Sequence, residues 1–349
     1  MELDAPGNVR EGETLDEKRL EVYLEEQLEL TGRLTIQQFP SGFSNLTYLL
    51  ELDGRELVLR RPPFGAKVKS GHDMSREFKV LRGLAPVYPK APKPLLFCGD
   101  EDVIGSPFYV MNRVRGVILR GSSKPLAPTQ TRRVAEALVA ALAELHAVDY
   151  QAAGLAELGK PAGYAARQVS GWTRRFEHAQ THDLPLMDEV AAWLAKELPP
   201  ASGPSLIHND FKYDNVVLNP DNLADITAVL DWEMCTLGDP LLDLGTSLGY
   251  WVQADDPEPM RALGLSPTFW PGNPSRAELV NMYQESSGRD VARPVWYYVY
   301  GLFKVAVIVQ QIYARYRAGS TKDIRFSKLD RAVKACANMA AGTIEKGKL

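Results

Sequence analysis

Cysteine is scarce in this chain. Three occur in 349 residues, at positions 98, 235 and 336, and no two form a CxxC pair. That spacing excludes a disulfide scaffold and a zinc ribbon, and it suits a reducing cytoplasm. No secretory leader is visible, because the first residues, MELDAPGNVREGETLDEK, are polar and acidic. The most apolar run, Val295 to Val309, is short for a bilayer span and contains Lys304. We therefore expect a soluble, cytoplasmic protein without a membrane partner. Nucleic acid is not an expected partner either, since the net charge is −4 and no basic-aromatic recognition motif occurs.

What is present is an ordinary globular composition, 45% hydrophobic and 24% charged, on a chain long enough for two cores. Charge is unevenly spread: residues 301–349 hold ten Lys/Arg against three Asp/Glu, a local +7 that leaves −11 for the rest. TLDEKRLEVYLEEQLEL (14–30) has Leu20, Leu24 and Leu28 at helical spacing, with Thr14 and Glu17 placed as a capping box. LTIQQF (34–39), LTYLLEL (46–52) and RELVLRR (55–61) read as strands, the last two joined by Asp53-Gly54, a strong hairpin signal. A helix over 72–84, with Met74, Phe78 and Leu81 on one face, and strands at 94–100 and 106–114 follow.

Beyond Gly116 the apolar spacing is helical, near 128–148, 163–180, 186–197, 240–252, 275–286, 295–316 and 324–342. The expected fold is α+β and bilobal. A first lobe over 1–113 carries a five-stranded antiparallel sheet with helices, and a mainly helical lobe covers 114–349.

One stretch breaks the helical pattern. IHNDFKYDNVVL (207–218) places a histidine, two aspartates and two asparagines between apolar pairs that read as buried strands. Enclosing carboxylates in this way is costly unless they have partners. A polar turn, a metal site and a catalytic base with helpers are all open at this point. Sixteen residues after Asn215, the apolar run ITAVL ends on Asp231, and NPDNLADIT (219–227) between them predicts a hairpin turn. Phosphoryl transfer needs hard oxygen ligands for Mg²⁺ and a carboxylate to orient the acceptor hydroxyl and take its proton. Asp210, Asn215 and Asp231, in that order, supply those parts.

His208, Asp210 and Asn215 fit H-x-D-x-x-x-x-N. Together with AVLDWEMCTLGDPLLDLG, SGFSNLTYLL, LVLRRPPFGA, HDMSREFKVL and GSPFYVMNRVRG, they resemble the aminoglycoside-phosphotransferase-like branch of the protein-kinase-like fold. Within it they look like the subgroup also found fused to acyl-CoA dehydrogenases. The resemblance runs from about residue 36 to about 252. It implies Asp210 as catalytic base, Asn215 and Asp231 as magnesium ligands, His208 as a brace, and ATP and Mg²⁺ as cofactors.

On the nucleotide side protein kinases pair a strand lysine with a helix glutamate, and an arginine in the lysine's place keeps the charge but is not interchangeable with it. Arg60 and Glu77 stand there, with Arg61 an adjacent candidate. Ser41, Gly42, Ser44 and Asn45 form the expected phosphate-covering turn, and the backbone of Asn112 to Val114 is expected to meet the adenine edge. Asp239 and Asp243 read as structural, as a helix cap and a group bonding the catalytic loop, while Asp214 reads as solvated or as a turn cap.

The expected acceptor is a hydroxylated small molecule. Arg167, Arg174 and Arg175 in 163–182, and Arg315 and Arg317 in the basic tail, argue for a neutral or anionic one, such as a hydroxy acid or hydroxyacyl thioester. The aromatics among them (Tyr164, Trp172, Phe176, Trp251, Trp296, Tyr297, Tyr300, Tyr313) are expected mostly in the core. Rival readings are an aminoglycoside phosphotransferase, a nucleotide-binding module without transfer activity, and a metal-dependent phosphohydrolase.

Overall fold

The computed structural model describes residues 3–40, 45–65, 73–263, 266–321 and 323–349. The chain divides into two compact units. The first comprises Met1–Ile118, Gln151–Leu155 and Val216–Cys235, and the second Leu119–Tyr150, Ala156–Asn215 and Thr236–Leu349. A boundary drawn by chain position at 113/114 would leave residues 216–235 with the helices, whereas their packing groups them with the first unit.

In the first unit, helix α1 (Glu17–Leu28) precedes strands β1 (Thr35–Gln38), β2 (Leu46–Leu52) and β3 (Arg55–Arg61). Helix α2 (Met74–Leu84), strand β4 (Pro94–Cys98), the short α3 (Glu101–Ile104) and strand β5 (Phe108–Asn112) follow. The sheet order is β1-β2-β3-β5-β4, antiparallel throughout. Asp53 and Gly54 both have positive φ, 53° and 69°, so the β2–β3 turn twists with its strands as a two-residue hairpin requires.

Alternation along the strands gives the sheet two different faces. Leu50, Leu52, Leu57 and Leu59 pack with Leu20 and Leu24 of α1 in one core. Val58 and Arg60 point the other way. Arg61, in phase with Leu57 and Leu59, donates to the carbonyls of Pro62 and Ile104 and lies 3.7 Å from the Phe64 ring centroid. The pleat therefore puts the two arginines on opposite faces of the sheet.

One local expectation needs correction. The N-cap of α1 is Asp16, which accepts from the Arg19 N–H, and not Thr14. The helix thus starts where a carboxylate can reach an orphan donor. In α2 the buried residues are Met74, Glu77, Val80, Leu81 and Leu84, with Phe78 only half-buried. The buried face is centred so that it includes a carboxylate.

The second unit begins with α4 (Pro128–His146), α5 (Tyr164–Ala179), α6 (Pro185–Lys196) and strand β6 (Ser205–Ile207). Strands β7 (Val216–Asn219) and β8 (Asn222–Val229) form an antiparallel hairpin of the first unit. Strand β9 (Thr236–Gly238) then pairs with β6. It was not anticipated, because three residues are too few to show a period. Helices α7 (Pro240–Tyr250), α8 (Glu258–Arg261), α9 (Arg276–Ser287), α10 (Pro294–Arg317) and α11 (Leu329–Lys346) complete the unit. A 3₁₀ turn, Ile324–Lys328, opens what reads in sequence as one helix from 324.

Helix α10 has 24 residues, longer than its apolar run, so shortness is no argument against a membrane span. Its apolar window is instead 78% buried inside the fold, as the core helix of this unit. It lies against α7 glycine to glycine: a Cβ on Gly301 would meet the Gly245 carbonyl. The eight aromatics expected in the core are all buried.

Candidate active site

Strand β6 delivers the chain into the loop at 208–215, and buried side chains fix that loop from below. Asp243 of α7 is fully buried and accepts the backbone N–H of His208 at 2.6 Å and of Asn209 at 2.7 Å. His146 Nε2 donates to the same carboxylate at 3.1 Å, and its Nδ1 meets the Tyr283 hydroxyl at 2.7 Å. Burial works against this charge, but His146 and the loop N–H groups hold the Asp243 pKa below its ordinary value. Asp243 is thus a loop anchor. Asp239 caps α7 through the Leu241 N–H.

Asp210 follows, with its N–H 3.3 Å from His208 Nδ1. The His208 ring, wholly buried, stands edge-on to Phe211 and so backs the loop. Asn215 spends its side-chain N–H₂ on Asp210, donating to the backbone oxygen and to Oδ2 at 2.8 Å each. That leaves Oδ1 as the atom of Asn215 able to face a cation. Lys212 also grips the carboxylate, 2.9 Å from Oδ2 and 3.1 Å from Oδ1.

Burial disfavours the Lys212 ammonium, yet Asp210, Tyr250 and Asp214 outweigh it and its pKa is raised. Its Nζ also lies 4.7 Å from the Tyr250 ring centroid. Burial, with Asp210 close by, pushes the Tyr250 hydroxyl up. Sequence reading gave Lys212 and Tyr250 no role. A lysine enclosed between apolar strands was the available signal, since such a charge needs a partner. Asp214 is half-buried, not solvated, and accepts from Ser266 Oγ at 2.6 Å. Its carboxyl is raised by burial.

The first unit holds the other cluster. Arg60 NH1 is 3.1 Å from Glu77 Oε1, and its NH2 is 2.9 Å from Asp231 Oδ1 and 3.8 Å from Glu233 Oε2. Asn45 Nδ2 donates to Glu233 Oε2 at 2.7 Å. Asp231 has φ 66°, a left-handed conformation that strains a non-glycine residue. The next residue, Trp232, is buried and donates from its indole to the Val229 carbonyl at 2.8 Å, which fixes the corner.

One guanidinium among three carboxylates leaves an excess of negative charge that suits a divalent cation. Burial, opposed by Arg60 and aided by Asp231, raises the Glu77 carboxyl. Among the described residues, no group of three or more His, Cys, Asp or Glu side chains is placed to hold a metal by itself. Magnesium sites of the nucleotide-dependent kind need only one or two carboxylates beside phosphate oxygens.

Ser41, Gly42 and Ser44 lie outside the described residues. Asn112 closes β5, and its N–H donates to the Lys93 carbonyl at 2.9 Å. Val114 packs against a small apolar cluster of Ile118, Val217 and Ala228, with Leu230.

A family model described as "Phosphotransferase enzyme family" matches residues 35–279. Acyl-CoA dehydrogenase family member 11 of Homo sapiens is 39% identical over 316 residues, covering 87% of this chain and 40% of that protein. The chain thus spans well under half of this relative. A crystal structure from Ralstonia eutropha, inferred to be an aminoglycoside phosphotransferase, is 29% identical, with TM-score 0.81 over 95% of this chain and 99% of that one. The aminoglycoside phosphotransferase APH(4)-Ia, solved as a thermostable mutant with AMP-PNP and hygromycin B, shares the fold at 17% identity. Its TM-score is 0.57, over 90% of this chain and 98% of that one.

Proposed function

This chain belongs to the phosphotransferase enzyme family, and from that premise we propose that it is a small-molecule phosphotransferase, which transfers the γ-phosphoryl group of ATP, with Mg²⁺, to a hydroxyl of a neutral or anionic acceptor. Asp210 orients that hydroxyl and takes its proton as the oxygen–phosphorus bond forms, the β–γ bridge breaks and ADP leaves. Lys212 and Asn215 hold the Asp210 carboxylate in place for this.

Asn215 through its Oδ1 and Asp231 through its carboxylate are each candidate magnesium ligands of their own unit, and Mg²⁺ would supply charge neutralisation at the phosphates. The charge excess around Arg60 supports a cation on the Asp231 side. Arg60, steadied by Glu77, supplies the positive charge for the nucleotide phosphates. The fold relative holding AMP-PNP supports nucleotide use, and the apolar cluster at Val114 offers a surface for a base.

One observation carries the acceptor class. A groove of about 690 Å³ between α5 and α10, in the unit that holds Asp210, is lined by Arg174, Arg175, His178 and Arg315, with no carboxylate. A polycationic aminoglycoside would meet like charge there, whereas an anionic group would meet a complementary potential. Arg167 and Arg317 do not join the groove: Arg167 donates to the carbonyls of Lys160 and Ala162, and Arg317 to the Tyr313 hydroxyl. Likeness to an acyl-CoA dehydrogenase family member supports a hydroxy acid or its thioester.

The test is transfer of label from γ-labelled ATP to a panel of hydroxy acids, hydroxyacyl thioesters, neutral polyols and an aminoglycoside. Label on an acid or thioester supports the acceptor reading. Label on the aminoglycoside alone overturns it. ATP binding without consumption against the whole panel would make the chain a binding module.

A further inference from the structure

A buried ammonium group grips the loop that presents Asp210. Lys304 lies in the middle of α10, 1% exposed. Its Nζ donates to the Asn209 carbonyl at 2.7 Å and to Thr246 Oγ1 at 3.3 Å. Thr246 gives its own hydroxyl hydrogen to the Leu242 carbonyl, so Oγ1 is left as an acceptor. The Trp172 ring centroid is 5.7 Å from Nζ. Among the described residues no carboxylate is ion-paired with Lys304. Burying an ammonium this way is costly, and a methionine would fill the same space without that cost.

The charge is spent on one peptide group. Asn209 has φ 67°, a left-handed conformation that asparagine adopts more readily than most other residues. Its N–H is held by Asp243, its side chain meets the Tyr164 hydroxyl, and its carbonyl is held by Lys304. The plane of the Asn209–Asp210 peptide also carries the Asp210 N–H that meets His208. A planar peptide fixed at its oxygen is fixed at its N–H too.

We infer that Lys304 is a positioning residue for phosphoryl transfer, which sets the Asn209–Asp210 peptide plane and through it the direction of the Asp210 carboxylate. This rests on the reading of Asp210 as the base. Asp243 of α7 and Asp210 of the loop favour the ammonium, while Lys212 of the loop and Arg175 of α5 oppose it; the Tyr164 and Tyr300 hydroxyls belong to the same buried region. Burial outweighs the favourable charges and brings Lys304 down to about 8. A charge-assisted bond is about twice as strong as a neutral one, so the grip weakens as pH rises through that value.

The test compares the wild type with Lys304→Met and Lys304→Arg. ADP formation is followed from Mg-ATP alone and with the hydroxylated panel, between about pH 6.5 and 9.5. Binding of a fluorescent ATP analogue and hydrogen exchange across residues 207–215 are measured beside it. The methionine variant is expected to lose at least about tenfold in turnover, with analogue affinity within about twofold. Its loop should exchange faster, and the alkaline fall in rate expected of the wild type near pH 8 should be absent. The arginine variant is expected to recover part of the turnover.

Wild-type turnover and unchanged loop exchange in Lys304→Met would overturn the inference. If that variant does not fold, Lys304→Gln takes its place with the same two readouts, and wild-type values in both overturn the inference as well. A wild type that forms no ADP with any acceptor sinks the phosphotransfer reading instead, a separate outcome from loop exchange.

Discussion

The ammonium of Lys212 sits 2.9 Å from one oxygen of Asp210 and 3.1 Å from the other, so the candidate base is clamped by a residue two positions after it. With Asn215 donating to the same carboxylate, the three residues act as one unit. Groups coupled in this way do not contribute additively.

Asp210→Asn keeps the shape and removes the proton acceptor. Turnover is expected to fall by about 10²–10⁴ with nucleotide affinity retained. Steady-state ADP release and ATP-analogue binding on the same preparation check this. A variant that keeps wild-type turnover would show that Asp210 is not the base.

Lys212→Met should slow turnover by about tenfold or more through loss of the clamp. The double variant with Asp210→Asn should be no slower than Asp210→Asn alone. Full additivity in that cycle would mean that Lys212 acts independently of Asp210.

Glu77→Gln leaves the buried Arg60 guanidinium short of a carboxylate. Breaking a buried pair by removing one partner costs about 3–5 kcal/mol, so a clear fall in Tm is expected. Because Asp231 also binds Arg60, the same variant should weaken Mg-ATP binding. An unchanged Tm together with unchanged binding would show the pair to be idle.

Lys304 gives stability and activity opposite pH dependences. Its pKa is lowered to about 8 in the fold from 10.5, so between those values the unfolded chain binds more protons and stability rises with pH. Relative to Lys304→Met, the wild type should gain up to about 3 kcal/mol across that window. Urea unfolding at pH 7.5 and pH 10 measures the difference, while turnover falls over the same range.

Replacing Arg174 and Arg175 by glutamate reverses the sign of the α5 side of the groove. For an anionic acceptor, KM should rise about tenfold or more, most at low ionic strength, with ATP affinity unchanged. An unchanged KM for the accepted substrate would place its binding elsewhere.

Much of this molecule is legible in its sequence, because local physics decides it. Asp53-Gly54 dictates its hairpin through two positive φ values, and the strand and helix periods place the five-stranded sheet and the long helices. The H-x-D-x-x-x-x-N spacing and Asp231 after an apolar run mark the candidate groups before any contact is known. Tertiary structure alone decides which partners those residues meet. The pleat sends Arg60 to Glu77 and Asp231, and Arg61 to the opposite face, a choice adjacent arginines do not reveal. Packing brings Asp243, His146 and Lys304, each remote in sequence from the loop, beneath residues 208–210, where burial makes every unpaired charge expensive. Period and spacing determined the elements and the order of the candidate groups. Burial and long-range hydrogen bonding decided which charges hold the loop and which stand ready to react.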